Sequence, residues 1–165
     1  MSVRPILEWP DPHLSRRCEP VASLDGIEAL VGDLFETMYA AAGRGLAAPQ
    51  VGVLARVFVI DVGWKEGDMR PLACLNPRIA EASDDIRIGP EQCLSIPGVT
   101  AQVPRHRAIT LAFTDLNGAM QQRRLTGAEA ICAQHELDHL DGLVHFDRLS
   151  AEGRAQLVAE YEGRL

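Results

Sequence analysis

His135-Glu136-Leu137-Asp138-His139 sets two imidazoles four positions apart, and on a helix that spacing projects both from one face, one turn apart, where a single ion can take them. Just upstream, Thr126-Gly127-Ala128-Glu129 has the pattern of a capping box and predicts where that helix begins. Before it, Ala108 to Thr114 alternates apolar with small or polar residues, Asp115-Leu116-Asn117-Gly118 supplies turn chemistry, and Ala119 to Leu125 returns as a hairpin partner. The histidine helix therefore follows directly on a strand.

Further out, Arg56-Val57-Phe58-Val59-Ile60-Asp61 is rich in β-branched and aromatic residues and reads as a strand. Pro71 to Asn76 reads as another short strand, closed by Pro77. Ile27, Leu30, Val31, Leu34, Phe35 and Met38 recur at helical spacing and predict a helix through Ala42, with Asp25 and Glu28 as its capping box. Gly43-Arg44-Gly45 ends that helix and opens a loop, and Ser150 can cap a last helix reaching Tyr161. Helices that are few and separated by runs of strands give an α+β class, with mainly antiparallel sheets.

At 165 residues, with no repeat or long linker, residues 1–165 are expected to form a single domain. A net charge of −7 argues against nucleic-acid binding, whose footprint is basic, though it leaves room for a local ribosome-facing patch. No stretch approaches the ~18–20 apolar residues of a membrane span, and Met1-Ser2-Val3-Arg4-Pro5 lacks the apolar core of a secretory signal. Cys18, Cys74, Cys93 and Cys132 are scattered, which fits reduced thiols and a cytoplasmic location better than a disulfide framework.

The chemistry gathers at the histidines. Zinc and ferrous iron both accept imidazole, and thiolate is a softer donor, so a distant cysteine such as Cys93 can supply a third ligand and leave a fourth position open. Glu136, beside the first histidine, is placed to take a proton from water and later deliver it to a leaving amine. These residues together read as a metal-dependent amidohydrolase. Cys132 shares the face of His135 and is either a pocket wall or a fourth ligand that would close the site. Asp138 and Asp141 are either supports for the ligand histidines or ordinary helix-surface carboxylates. His13, His106 and His145 show no partner pattern.

Three segments, Gly43-Arg44-Gly45-Leu46-Ala47-Ala48-Pro49-Gln50, Glu91-Gln92-Cys93-Leu94-Ser95 and Gln134-His135-Glu136-Leu137-Asp138-His139, together resemble the peptide deformylases, in that family's order and spacing. The likeness extends through Phe35 to Ala40, Ser95-Ile96-Pro97 and Val103-Pro104-Arg105. It implies an α+β fold with the histidine helix packed among antiparallel sheets. It also implies a divalent metal held by Cys93, His135 and His139 with a water as fourth ligand, typically Fe2+, with Zn2+, Ni2+ or Co2+ able to substitute. The implied reaction removes the N-formyl group from the initiator methionine of nascent chains and releases formate. Catalysis would rest on Glu136, with the Gln50 side chain and the Leu94 backbone N–H stabilising the oxyanion. The resemblance further implies peptide binding along Gly43, Arg44, Gly45, Leu46 and Gln92, with Ile131, Cys132 and Leu94 walling a methionine pocket and Glu91 paired with Arg105.

The chain departs from the family pattern in places. Gln92 stands where a glycine is usual, Arg44 where an aliphatic residue is usual, and Ala128 and Glu129 where leucine is common. No metal ligand, general base or oxyanion donor is changed, so an active deformylase is expected, with a deformylase-like paralogue of altered specificity as the alternative. Two rivals are a zinc endopeptidase, since His-Glu-x-x-His marks that class too, and a non-catalytic metal-containing binder of peptide N-termini.

Overall fold

The computed structural model describes residues 1–164. Seven strands and three α-helices follow one another as α1 (Ile27–Ala40), β1 (Gly45–Ala47), β2 (Val57–Ile60), β3 (Leu72–Ala82), β4 (Ile86–Cys93), β5 (Ile96–His106), β6 (Ala108–Thr114), β7 (Met120–Thr126), α2 (Gly127–Leu140) and α3 (Ala151–Glu162). Two antiparallel sheets result, one of five strands in the order β1-β2-β3-β6-β7 and one of two, β4-β5. This is the α+β arrangement expected from the sequence.

Strand β2 explains how the helices are placed. All four of its residues are buried, because both faces of the sheet are covered there. Val57 and Val59 pack with Leu30, Val31, Leu34 and Met38 of α1, while Phe58 and Ile60 pack with Ala130, Ala133 and Leu140 of α2. Each valine, leucine, isoleucine, methionine or phenylalanine among them contributes ~1.5–3 kcal/mol by leaving water. The small Ala130 and Ala133, both at 0% exposure, let α2 lie close against the sheet. Gln134 fixes its height, accepting the backbone N–H of His106 at 3.0 Å and donating to the His106 carbonyl at 2.9 Å. Helix α3 closes a third cluster, in which Tyr161 and Phe146 meet Ile96 and Val99 of β5.

Several local expectations are corrected. Asp25 does not cap α1: Gly26 holds the N-cap position at φ 75°, a left-handed conformation that glycine adopts without strain, and no side chain caps the helix. Thr126 is the N-cap of α2, but its hydroxyl makes no cap bond, so that capping box is not formed. Ser150 does cap α3, accepting from the Gly153 N–H at 3.1 Å. Pro77 does not end β3, which continues to Ala82 through an irregularity in register at Leu75/Arg78, with Asn76 at φ 49°.

Candidate metal centre and substrate groove

Two elements bring the ligand candidates together. Cys93 ends β4, while His135 and His139 occupy one face of α2. The Cys93 Sγ and one nitrogen of each histidine all lie within 4.8 Å of one another, and Cys93 Sγ is 3.4 Å from His139 Nε2. All three residues are buried. Cys132 is not part of this group, and burial raises its thiol well above the usual range, so it is a neutral wall.

Behind the cluster lies a buried ion network. Arg105, 4% exposed, donates to both oxygens of Glu91 at 2.8 and 2.9 Å and to Asp138 at 2.6 Å. Glu91 Oε1 also takes the Nδ1 proton of His135 at 2.8 Å, which orients that ring and leaves its Nε2 for an ion. Among the described residues the Asp138 carboxylate makes no hydrogen bond to a ligand histidine; it braces Arg105 and Arg148. Asp141 bonds Arg56 instead. Burial works against the Glu91 carboxylate, yet its hydrogen bonds from Arg105 and His135 bring its pKa down to about 2.

The two rings differ in charge preference. Desolvation disfavours a charged His135, but its bonds to Cys93 and Glu91 win and hold its pKa well above the usual histidine value. Among the described residues the Nδ1 of His139 has no hydrogen-bond partner, and burial, with His135 nearby, holds its pKa well below the usual histidine value. His145, without a pattern in the sequence, proves to be 1% exposed with its ring 6.1 Å from that of His135. Burial lowers its pKa to about 4, so it is a neutral core imidazole.

Glu136 lies beside the cluster, 4% exposed, with Oε2 making no protein hydrogen bond among the described residues. Burial pushes its pKa to about 7, where a carboxyl can both accept and return a proton. Gln50, fixed by a short 3-10 turn at Ala48–Val51, accepts from the Ala47 N–H at 2.9 Å. Its Nε2 donates to Ser95 Oγ at 3.0 Å and points at Cys93 Sγ, 3.9 Å away. Leu94 and Ser95 form the turn between β4 and β5, next to Cys93.

All of this opens into one groove of about 790 Å³, on which Gly43, Arg44, Gly45, Gln50, Gln92, Leu94, Ile131, Cys132 and Glu136 converge. Leu46 is the exception. Strand alternation turns it away from Gly45, and at 0% exposure it packs against α1, so it can meet a ligand only through its main chain. Gln92 sits at a register shift in the β4-β5 pairing, outside the left-handed region, and reaches Thr100 at 3.3 Å, which is why a side chain fits there. Arg44 pairs through its guanidinium with Glu66 at 2.7 Å. Trp64 donates from Nε1 to the Gly43 carbonyl at 2.8 Å and steadies that loop. Ser95, Trp64 and Arg148 had no assigned role in the sequence; only the Cys-Leu-Ser triplet could have pointed to Ser95.

The polypeptide deformylase family model matches residues 3–155. The peptide deformylase of Afipia carboxidovorans is 40% identical over 98% of this chain and 95% of its own length, and that of Rhizorhabdus wittichii is 41% identical with the same coverage. Among solved structures, the peptide deformylase of Thermus thermophilus superposes with a TM-score of 0.91 at 38% identity, covering 98% of this chain and 94% of its own. The Ehrlichia chaffeensis peptide deformylase in complex with actinonin gives 0.92 at 38% identity, covering 99% and 98%.

Proposed function

The chain belongs to the polypeptide deformylase family, and from that premise we propose that Cys93, His135 and His139 hold the divalent ion with which it removes the N-formyl group from peptide N-termini. The donor set fits such an ion: one thiol and two imidazoles converge, and His135 already has its outer nitrogen engaged by Glu91. Sulfur and nitrogen donors suit Fe2+, the ion we propose in the cell, and also accept Zn2+, Ni2+ or Co2+. When bound, the ion polarises water and the formyl oxygen, making the one a better nucleophile and the other a better electrophile.

The remaining work falls to the chain itself. The groove runs between two strand edges that have no partner strand among the described residues, β1 of the large sheet and β4 of the small one. A peptide laid there in extended form pairs main chain to main chain, which accepts many sequences. Ile131, Cys132 and Leu94 offer an apolar pocket to the methionine side chain. Glu136 takes the proton from the attacking water and passes it to the departing amino nitrogen, so that formate and a free N-terminus result. Gln50 Nε2 and the Leu94 backbone N–H are the donors for the oxyanion, each worth ~3 kcal/mol in comparable sites.

This reading includes a single catalytic domain acting in the cytoplasm on nascent chains, with transient ribosome contact. No helix among the described residues is long and apolar enough to cross a membrane. The observation that carries it is the buried thiol–imidazole cluster with a near-neutral carboxyl beside it in an open groove. The test is formate release from formyl-Met-Ala-Ser by anaerobically iron-loaded protein, beside Glu136→Gln. We expect the variant to keep its metal and lose turnover by about 10²–10⁴-fold. Undiminished turnover removes Glu136 from the chemistry.

A further inference from the structure

The groove gathers cations although the molecule as a whole is acidic. The chain carries a net charge of −7, yet the cations Arg44, Lys65 and Arg87 line the groove. Its lining carboxylates, Glu91 and Glu136, are buried on the floor. Arg44 is already paired with Glu66. Neither Lys65 nor Arg87 has an acidic partner within 4.0 Å among the described residues.

Arg87 is held over the groove by its strand. Along β4, Gly89, Glu91 and Cys93 form the inward row, and alternation puts Arg87 in that same row, one step further out. Gly89 has no side chain to occupy its place, and Arg87 takes it: a Cβ there would stand 3.2 Å from Arg87 Cζ and 3.4 Å from Nη2. The guanidinium therefore lies back along the row that leads to Glu91 and the metal cluster. Lys65 faces the same groove from the turn after β2, its Nζ 5.9 Å from the Trp64 ring centre, and Trp64 is bonded to Gly43.

We propose that Arg87 and Lys65 make the outer groove selective for formylated N-termini whose residues just after the methionine carry carboxylates. The inference rests on the deformylase reading and assigns a substrate subclass to the same site. A strand-paired peptide shows its side chains alternately, about 3.3 Å apart per residue, so acidic residues beyond the methionine reach these cations. Both cations are exposed, so each ion pair is weak and salt-screened.

The test compares formyl-Met-Ala-Glu-Glu, formyl-Met-Ala-Ser-Ser and formyl-Met-Ala-Lys-Lys on nickel-loaded enzyme. At about 0.02 M salt, kcat/KM should favour the acidic peptide over the basic one by about three- to tenfold, with the difference in KM; about 0.5 M salt should erase it. In Arg87→Glu/Lys65→Glu the order should reverse. Equal kcat/KM for the acidic and basic peptides, a salt-independent ratio, or an unreversed ratio in the folded variant overturns the inference. If no peptide yields formate, the hydrolytic reading falls instead. Fluorescence anisotropy with the same labelled peptides then still decides the inference, and equal acidic and basic affinities overturn it.

Discussion

Replacing Gly45 by alanine adds one methyl group where the structure has room for none. The new Cβ would stand 2.7 Å from Glu136 Oε1, 3.0 Å from its Cδ and 2.8 Å from Cys132 Sγ. Ordinary contact begins near 3.4 Å, so something must yield by about 0.7 Å. Neither neighbour yields freely: Glu136 is 4% exposed, and Cys132 lies on a helix whose height Gln134 fixes. Overpacking of this kind costs ~1–3 kcal/mol, and in a chain of this size each kcal/mol lowers the melting temperature by about 2–4 °C. The larger effect should be on rate, because a ~1 Å displacement of a proton-transfer group costs about 10²-fold in kcat/KM. Formate release, metal content and thermal unfolding on one preparation separate these effects. Metal content should hold, since no ligand is touched. Cys132→Ala in the same chain removes the sulfur clash but not the one with Glu136, and should recover part of the stability while leaving the rate low. A Gly45→Ala enzyme with unaltered kcat/KM and melting temperature would refute the placement of Glu136.

Arg105→Leu leaves Glu91 and Asp138 buried without their shared cation and should cost ~3–5 kcal/mol in urea unfolding, with metal affinity down by about 10–100-fold as His135 loses its brace; a loss below ~1 kcal/mol contradicts the network. Cys93→Ala should bind metal weakly or not at all after dialysis, and one retained equivalent would move the third ligand to Cys132. The Ser2 N–H, then the Arg4 side chain, lower the Asp33 pKa below its unfolded value of 3.8, so the stability it adds is present above that value and lost as pH falls beneath it. Asp33→Asn should flatten that acid limb in unfolding midpoints. Burial, then the Asp61 hydrogen bond, raise the Tyr39 pKa above 10, so its contribution is present below pH 10 and lost as pH rises beyond it; Tyr39→Phe should flatten the alkaline limb.

The sequence made the helix α2 and its two histidines legible because their meaning is local: a period of four residues and an adjacent carboxylate. Strands β4 and β5 were not legible. Gly89-Pro90, Pro97-Gly98 and Pro104 are poor strand formers taken alone, and only the pairing of Ile86–Cys93 with Ile96–His106 makes these segments strands. The failed cap at Asp25 has a similar cause, since Gly26 satisfies the helix entry through its backbone rather than through a side chain. Site residues whose role depends on distant chain segments were equally hidden. Nothing near Arg87 announces that its strand will lie beside Gly43-Arg44-Gly45, and nothing near His145 announces that its ring will pack behind His135.

The two open edges along the groove also bear on solubility. An unpaired row of N–H and C=O groups will ladder with any unfolded segment, and long edges seed aggregation. Both rows here are cut short by proline: Pro49 follows β1 almost at once, and Pro90 removes a donor from the middle of β4. A visiting chain can therefore make only a few bonds before the template stops. Short, loose N-terminal tails are admitted, while the long registers from which fibrils grow are denied.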